Sequence, residues 1–251
     1  MIRDCVRELV RDSEKDIVLD DSAFSPLEFG PIAWYDAADA STITESGGLV
    51  SIWRDKSGNA NNAVQDTASS QPTYIPDRKN GLGGIRFRSD FLQTLSAIDF
   101  VSETEINIFI FCSRNVAGAR YFIGSDVATD GSRWGFGFSS ETTAIHIFST
   151  LVGSPQDTIP AYTSGNEYHI FHGQSKVDNT ERKLYYDGVL IHTESTDRLD
   201  YTSNTLMRIG QTYGAQLTDG DVNEVLIFGL LNDSQRTQIT TYLADKWGMA
   251  L

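Results

Sequence analysis

The stretch EINIFIFCS, Glu105–Ser113, places Ile106, Ile108, Ile110 and Cys112 on one face and Asn107, Phe109 and Phe111 on the other. A two-residue period belongs to an extended strand, whose successive side chains point to opposite sides. Both faces are mostly apolar, which predicts a central strand covered on two sides. Working outward, shorter runs of the same kind recur in GIRFR, RYFIG, RWGFGF, TAIHIFST, EYHIFHGQ, LMRIGQ and NEVLIFG, punctuated by Gly, Asn, Asp and Ser. In RKLYYDGVLIHTE the pair Asp187-Gly188 stands between two alternating strands, the strongest hairpin signal in so short a segment. Many short antiparallel strands at this spacing predict an all-β chain folded as a two-sheet sandwich or a barrel.

Helical patterns occur only at the two ends. In NDSQRTQITTYLADKWGMAL, Asp233 or Ser234 is the expected cap, Ile239, Leu243 and Trp247 share a face, and Gly248 supplies the stop. This helix is expected against the sandwich beside EVLIFGLL. On a helical wheel of residues 1–13, Ile2, Cys5, Val6, Leu9 and Val10 form one stripe, Arg3, Arg7 and Arg11 the next, and Asp4, Glu8 and Asp12 the one after. An isolated helix shorter than roughly 12–15 residues is marginal in water, so this stripe needs a partner: its own domain, a sister chain or another protein. Ile2, Val6, Leu9 and Val10 are therefore read as an assembly anchor, and a small trimeric bundle buries such a stripe well. SEKDIVLDDSAFSPLEFGP reads as a linker, which divides the chain into a helix with linker over residues 1–23 and a β domain over 24–251.

With 251 residues, 40% hydrophobic and 11% aromatic, the chain can bury one large core. A formal net charge of -14 argues against nucleic acid and anionic membranes, which need clustered Lys and Arg, and suits a hard cation such as Ca²⁺. Cys5 and Cys112 give no disulfide framework. No apolar run approaches the roughly 18 residues of a membrane span, and MIRDCVRELVRD lacks the apolar region of a signal peptide. The expectation is a protein made in the cytoplasm without a cleaved leader.

The succession IAWYDAADASTI, SGGLVSIWRDKSGNANNAVQ, QPTYIPDRKNGLGGIRF with DFLQTL, and GDVNEVLIFGLLNDSQRTQITTYLADKWGM resembles the laminin-G-like, concanavalin-A-like jelly-roll domains over about residues 24–250. That resemblance implies an antiparallel two-sheet jelly roll of a kind that serves lectins, adhesion modules and glycosidase accessories. With a short charged leader in front, the chain is similar to bacteriophage virion or tail-appendage proteins. This implies a structural protein on the virion exterior, in a tail fibre or capsid decoration. Its helix would hold other virion proteins, and its carbohydrate-binding domain would serve host attachment. The resemblance also places Asp55, Gly58, Asn59, Asn61, Asp221 and Asn223 near a Ca²⁺ or ligand site. Ca²⁺ takes six to eight oxygens, and a Gly-bearing loop rich in Asn and Asp can turn several inward. Such side chains also bond their own backbone two residues on, so a turn without an ion explains Asp55, Asn59 and Asn61 equally.

Sandwich enzymes of the laminarinase type carry Glu-x-Asp-x-x-Glu on one strand, aiming carboxylates into a single cleft. Here AIDFVSETE has Ala97 in the first position and leaves Asp99 and Glu103 at the wrong spacing. Glu103 and Glu105 share a face and read as a solvated strand end. His146, His169, His172 and His192 show no zinc-ligand spacing, and GQS and IGS lack the nucleophile elbow. The chain is therefore expected to be no enzyme. Sugar stacking needs an aromatic face beside polar groups. Trp134 in DGSRWGFGFS, Tyr162 in AYTSGNEY and Tyr213 in GQTYGAQLTDGD meet that description, with Gly135 and Gly137 opening space beside Trp134; core packing is the competing role for each. The expected function is a lectin-like virion appendage. The alternatives are a glycoside hydrolase with carboxylates on separate strands and a purely structural assembly module.

Overall fold

In the computed structural model, which describes residues 24–115, 120–126, 134–138, 144–147, 157–158, 167–178, 180–194, 204–212 and 218–251, the opening stretch forms a strand, Glu105–Arg114, with all ten residues buried. Residues 1–23, with the proposed anchor positions Ile2, Val6, Leu9 and Val10, lie outside the described residues. In chain order the described strands are β1 (Ala33–Asp36), β2 (Ile43–Ser46), β3 (Leu49–Trp53), β4 (Ala63–Val64), β5 (Thr73–Lys79), β6 (Leu82–Arg88), β7 (Leu92–Thr94) and β8 (Glu105–Arg114). They continue with β9 (Arg120–Ser125), β10 (Gly135–Phe138), β11 (Ala144–Ile147), β12 (Asp157–Thr158), β13 (Tyr168–Lys176), β14 (Arg182–Tyr186), β15 (Val189–Glu194), β16 (Met207–Ile209) and β17 (Asp219–Phe228).

The described pairings are antiparallel and fall into two layers. One runs β1-β17-β8-β13-β14-β15; the other runs β2-β3-β4-β7-β16-β9-β10-β11-β12. The layers join at one margin, where β17 pairs with β6, β6 with β5, and Thr73 of β5 with Leu49 of β3. The chain is thus the all-β two-sheet sandwich expected, and β8 lies between β13 and β17. Ile106, Ile108, Ile110 and Cys112 face the inter-sheet core with Trp53, Phe87, Ile209 and Ile227; Phe109 and Phe111 face a second core on the outer side of the layer. Two apolar faces on one strand are therefore explained by two cores.

A helix, α1 (Asp233–Trp247), covers that outer face with Ile239, Leu243 and Trp247, and Trp247 stacks on Phe111 at 5.0 Å. Its cap is Asn232 rather than Asp233 or Ser234. Asn232 keeps extended torsions and exchanges hydrogen bonds with Gln235, each 2.9 Å, in a reciprocal capping box. Gly248 ends the helix at a φ of 65°, as expected of a left-handed stop. The Asp187-Gly188 turn also forms, with φ positive at both residues, 47° and 79°, the requirement of a type I′ hairpin. The end of the expected linker packs instead of running free: Phe24 meets Phe29 and Tyr242, and Ser25 and Glu28 cap the 3₁₀ turn Pro26–Phe29.

A bulge in β17 decides how α1 attaches. Between Val222 and Glu224 the register against β8 shifts by one residue, Asn223. The extra residue turns Val222 and Val225 both into the inter-sheet core and sends Glu224 to the helix side. There its Oε1 accepts from Trp34 Nε1 and Tyr242 Oη, both 2.8 Å, and its Oε2 accepts from Lys246 Nζ and Trp247 Nε1, both 2.7 Å. Lys246 Nζ also reaches Asp36 Oδ1 at 2.6 Å, and Lys56 Nζ reaches Asp36 Oδ2 at 2.8 Å. Burial raises the Glu224 pKa and Lys246 opposes that shift. Removing one partner from such a network strands the others, so Glu224→Ala should lower unfolding free energy by about 3–5 kcal/mol in urea titration.

Candidate functional site

Three neighbouring strands of the first layer bring aromatic side chains into register on its outer face. Phe109 of β8 lies opposite His172 of β13, and His172 lies opposite Tyr185 of β14. The rings stack, Phe109 on His172 at 3.9 Å and 2°, His172 on Tyr185 at 4.7 Å and 18°. Beside this row the Asp187-Gly188 turn stands on one flank and the first turns of α1 on the other. Between them is a groove of about 490 Å³ lined by His172, Tyr185, Asp187, Val189, Asp233 and Arg236 among others. That size lies in the range of about 300–1,000 Å³ usual for small-molecule sites.

A buried polar row backs the groove. Asn107 Nδ2 donates to Glu105 Oε1 and to the Gly229 carbonyl, each at 2.8 Å, and Gln174 Nε2 donates to Glu105 Oε2 at 2.7 Å. With its amide hydrogens spent, Asn107 offers only Oδ1 to His172 Nε2, 2.9 Å away, so His172 carries its proton on Nε2. The Gln174 carbonyl faces the Tyr185 hydroxyl at 3.5 Å. Glu105, expected at a solvated strand end, is 4% exposed. The correction has a physical cause, since two amides satisfy both carboxylate oxygens inside the sheet surface. Burial pushes the His172 pKa well below its usual value, with Arg236 adding to the shift. Asp187 accepts from Ile170 N and pairs with His169 Nδ1, both at 2.8 Å, which fixes the turn to β13.

The structure does not gather the expected calcium residues. Asp55 accepts from the amides of Trp34, Ser57 and Asn61 at 2.9, 2.8 and 3.0 Å. Asn59 Nδ2 donates to the carbonyls of Pro31 and Ile32, and Asn61 Nδ2 to that of Ile32. The dense loop from Arg54 to Asn62 is thus a clasp around the entry to β1. Asp221 is fully buried and bound to Arg78, Arg86, Tyr168 and Ser113. Asn223 is the bulge residue, its amide wedged against Gly84 where no Cβ would fit. Asp55 holds Trp34, the partner of Leu226, and Leu226 is five residues from Asp221 along β17, roughly 16 Å at about 3.3 Å per residue. Among the described residues no three His, Cys, Asp or Glu side chains converge as a metal site requires.

Trp134 is likewise corrected. It is 3% exposed and packs on Phe100 at 5.3 Å, so it offers no face to a sugar. Gly135 makes room for Thr212 and Tyr121 rather than for a ligand. Tyr162 and Tyr213 lie outside the described residues. Tyr185 and His172 do not stand out in the sequence because each lies inside an alternating strand segment. The signal that finds them is the antiparallel pairing of EYHIFHGQ with RKLYY, whose register sets His172 opposite Tyr185.

No family model and no curated protein matches the chain. Solved structures do. Domain 4 of AbnA, a GH43 extracellular arabinanase from Geobacillus stearothermophilus, in complex with arabinotriose, superposes with a TM-score of 0.56 at 16% identity, covering 84% of this chain and 98% of that one. Trypanosoma rangeli sialidase gives 0.59 at 10% identity, covering 88% of this chain and 34% of that one. The binding domain of Paraclostridial Mosquitocidal Protein 1 gives 0.58 at 15% identity, covering 90% and 56%. The chain therefore spans about a third of the sialidase and about half of the toxin binding domain. At these identities the likeness establishes the β-sandwich fold.

Two measurements follow from the site. Asp55→Ala should cost about 1–3 kcal/mol by opening three part-buried amides, while a chelator leaves the melting temperature of the unaltered protein unchanged. His172 has a folded pKa below its unfolded value of about 6.5, so its contribution is present above that pH and is lost as pH falls towards the folded pKa. Stability should drop on the order of 1 kcal/mol per pH unit in that window, and His172→Gln should flatten that part of the slope in denaturation curves.

Proposed function

We propose that this chain is a lectin-like, non-enzymatic module that binds glycan in the groove between the Asp187-Gly188 hairpin and α1. A pyranose or furanose presents C–H patches that seek an aromatic ring and rim hydroxyls that seek polar groups. Tyr185, with its ring ending the stacked row, and the carboxylates of Asp187 and Asp233 beside it, supply both. This juxtaposition carries the reading. Binding without cleavage is favoured because Asp36 and Glu224 both hold Lys246 Nζ, at 2.6 and 2.7 Å, and are buried beneath α1. A carboxylate pair so engaged has no room for a sugar ring or a water. The structural neighbours support the reading only through their fold and through the arabinotriose bound to the arabinanase domain.

The module is carried, in this reading, by its leader into a larger assembly, a bacteriophage tail appendage or capsid decoration on the virion exterior. The leader's apolar stripe in front of a β domain supports this. Partners are then neighbouring virion proteins, with a homotrimer as the expected oligomer.

Tyr185→Ala should abolish retention on a glycan array that the unaltered protein binds, with its melting temperature little changed; equal retention by both would remove the groove from consideration. Deleting residues 1–20 should leave a folded domain that binds sugar and no longer joins its assembly. Turnover of any polysaccharide by the purified protein would overturn the non-enzymatic part.

A further inference from the structure

Resting on the groove being the glycan site, we propose that it selects neutral, hydroxyl-rich sugars over acidic ones, and that Glu105 is the positioning residue that sets this preference. The groove carries two carboxylates, Asp187 and Asp233, against one cation, Arg236. That guanidinium pairs with Asp233 through one terminal nitrogen and donates through the other to the Leu231 carbonyl at 2.7 Å, so its charge is shared with an acid beside it. A sugar carboxylate would have to compete with Asp233 for it. An acidic sugar would bring acceptors to a surface that mostly accepts, on a chain of net charge -14. A neutral sugar brings hydroxyls that can donate to the two carboxylates and adds no charge of its own.

Glu105 fixes the direction of these groups from behind. A carboxylate can only accept, so it takes an N–H from Asn107 and another from Gln174 and turns both amide carbonyls away from itself. One carbonyl then demands the Nε2 proton of His172, leaving Nδ1 as the lone-pair acceptor on a groove-lining ring. The other faces the hydroxyl of Tyr185. Two branches from one buried acid thus end on the two rings of the binding surface. With a glutamine in its place, an extra N–H₂ competes with the two amides, one of them turns over, and the His172 proton is free to move to Nδ1.

The test uses the full chain labelled with ¹⁵N. Long-range imidazole spectra should show His172 as the Nε2–H tautomer, and Glu105→Gln should shift it towards Nδ1–H while the backbone spectrum and melting behaviour stay native. Titration with arabinotriose and maltotriose should perturb Tyr185 and His172, with 3′-sialyllactose and trigalacturonate at least about tenfold weaker at low salt. Glu105→Gln should weaken the neutral sugars and narrow the gap. An Nδ1–H proton in the unaltered protein overturns the positioning role without any variant. Acidic sugars binding as tightly as neutral ones overturn the selectivity and leave the glycan reading standing. Failure of all four sugars to perturb either ring removes the glycan reading, and this inference with it.

Discussion

The carboxylate of Glu224 receives two indole N–H groups, a phenol and an ammonium, and it is the centre of the polar network by which the sandwich holds its helix. Apolar contact from Ile239, Leu243 and Trp247 gives α1 its affinity for the outer face, but such contact is non-directional and tolerates sliding. Three donors from the helix, Tyr242, Lys246 and Trp247, converging on two oxygens do not. They fix the rotation and the axial position of the helix, and so the placement of Asp233 and Arg236 on one flank of the groove. Buried ion pairs add little net stability over apolar packing, and their better attested role is to specify one arrangement. The bulge at Asn223 is the source of it, because without the extra residue Glu224 would point between the sheets.

The same logic recurs at Asp221 and Glu105. Each is a buried acid whose oxygens accept from neighbouring side chains, two arginines and a tyrosine from other strands in one case, an asparagine of its own strand and a glutamine of the next in the other. The outer face of the first layer is therefore a patterned surface: a polar row, an aromatic stack, an apolar strip under α1, then a charged cluster. The stack and its margin border the groove, and the ligand reading rests there for that reason.

What was legible in the sequence was what one segment settles by itself. EINIFIFCS announces a strand buried on both sides through its own alternation, Asp187-Gly188 announces its turn through the φ values those residues tolerate, and Ile239, Leu243 and Trp247 announce a helix face. What was illegible depends on partners far along the chain. Asp221 looked like a metal ligand because Arg86, 135 residues away in sequence, gives no local sign of reaching it. Glu105 looked solvated because Gln174 lies 69 residues on. Trp134 looked like a platform because the flanking glycines suggest open space, whereas Thr212 and Tyr121 fill it. The Asn-rich loop was readable as an elaborate turn, though not as a clasp on the first strand. Cross-strand register, set by a bulge and a hairpin, is the quantity that local pattern does not carry.

The hairpin that flanks the groove divides its labour unevenly. Asp187 is tied to Ile170 and His169, whereas the next side chains, Val189 and Leu190, are 64% and 47% exposed and belong to neither core. Mutational drift at those two positions is shielded from the cost that governs the interior. A lineage carrying this scaffold can reshape the tip of the hairpin by exchanging them, in single steps, while the foundation that folds it stays intact.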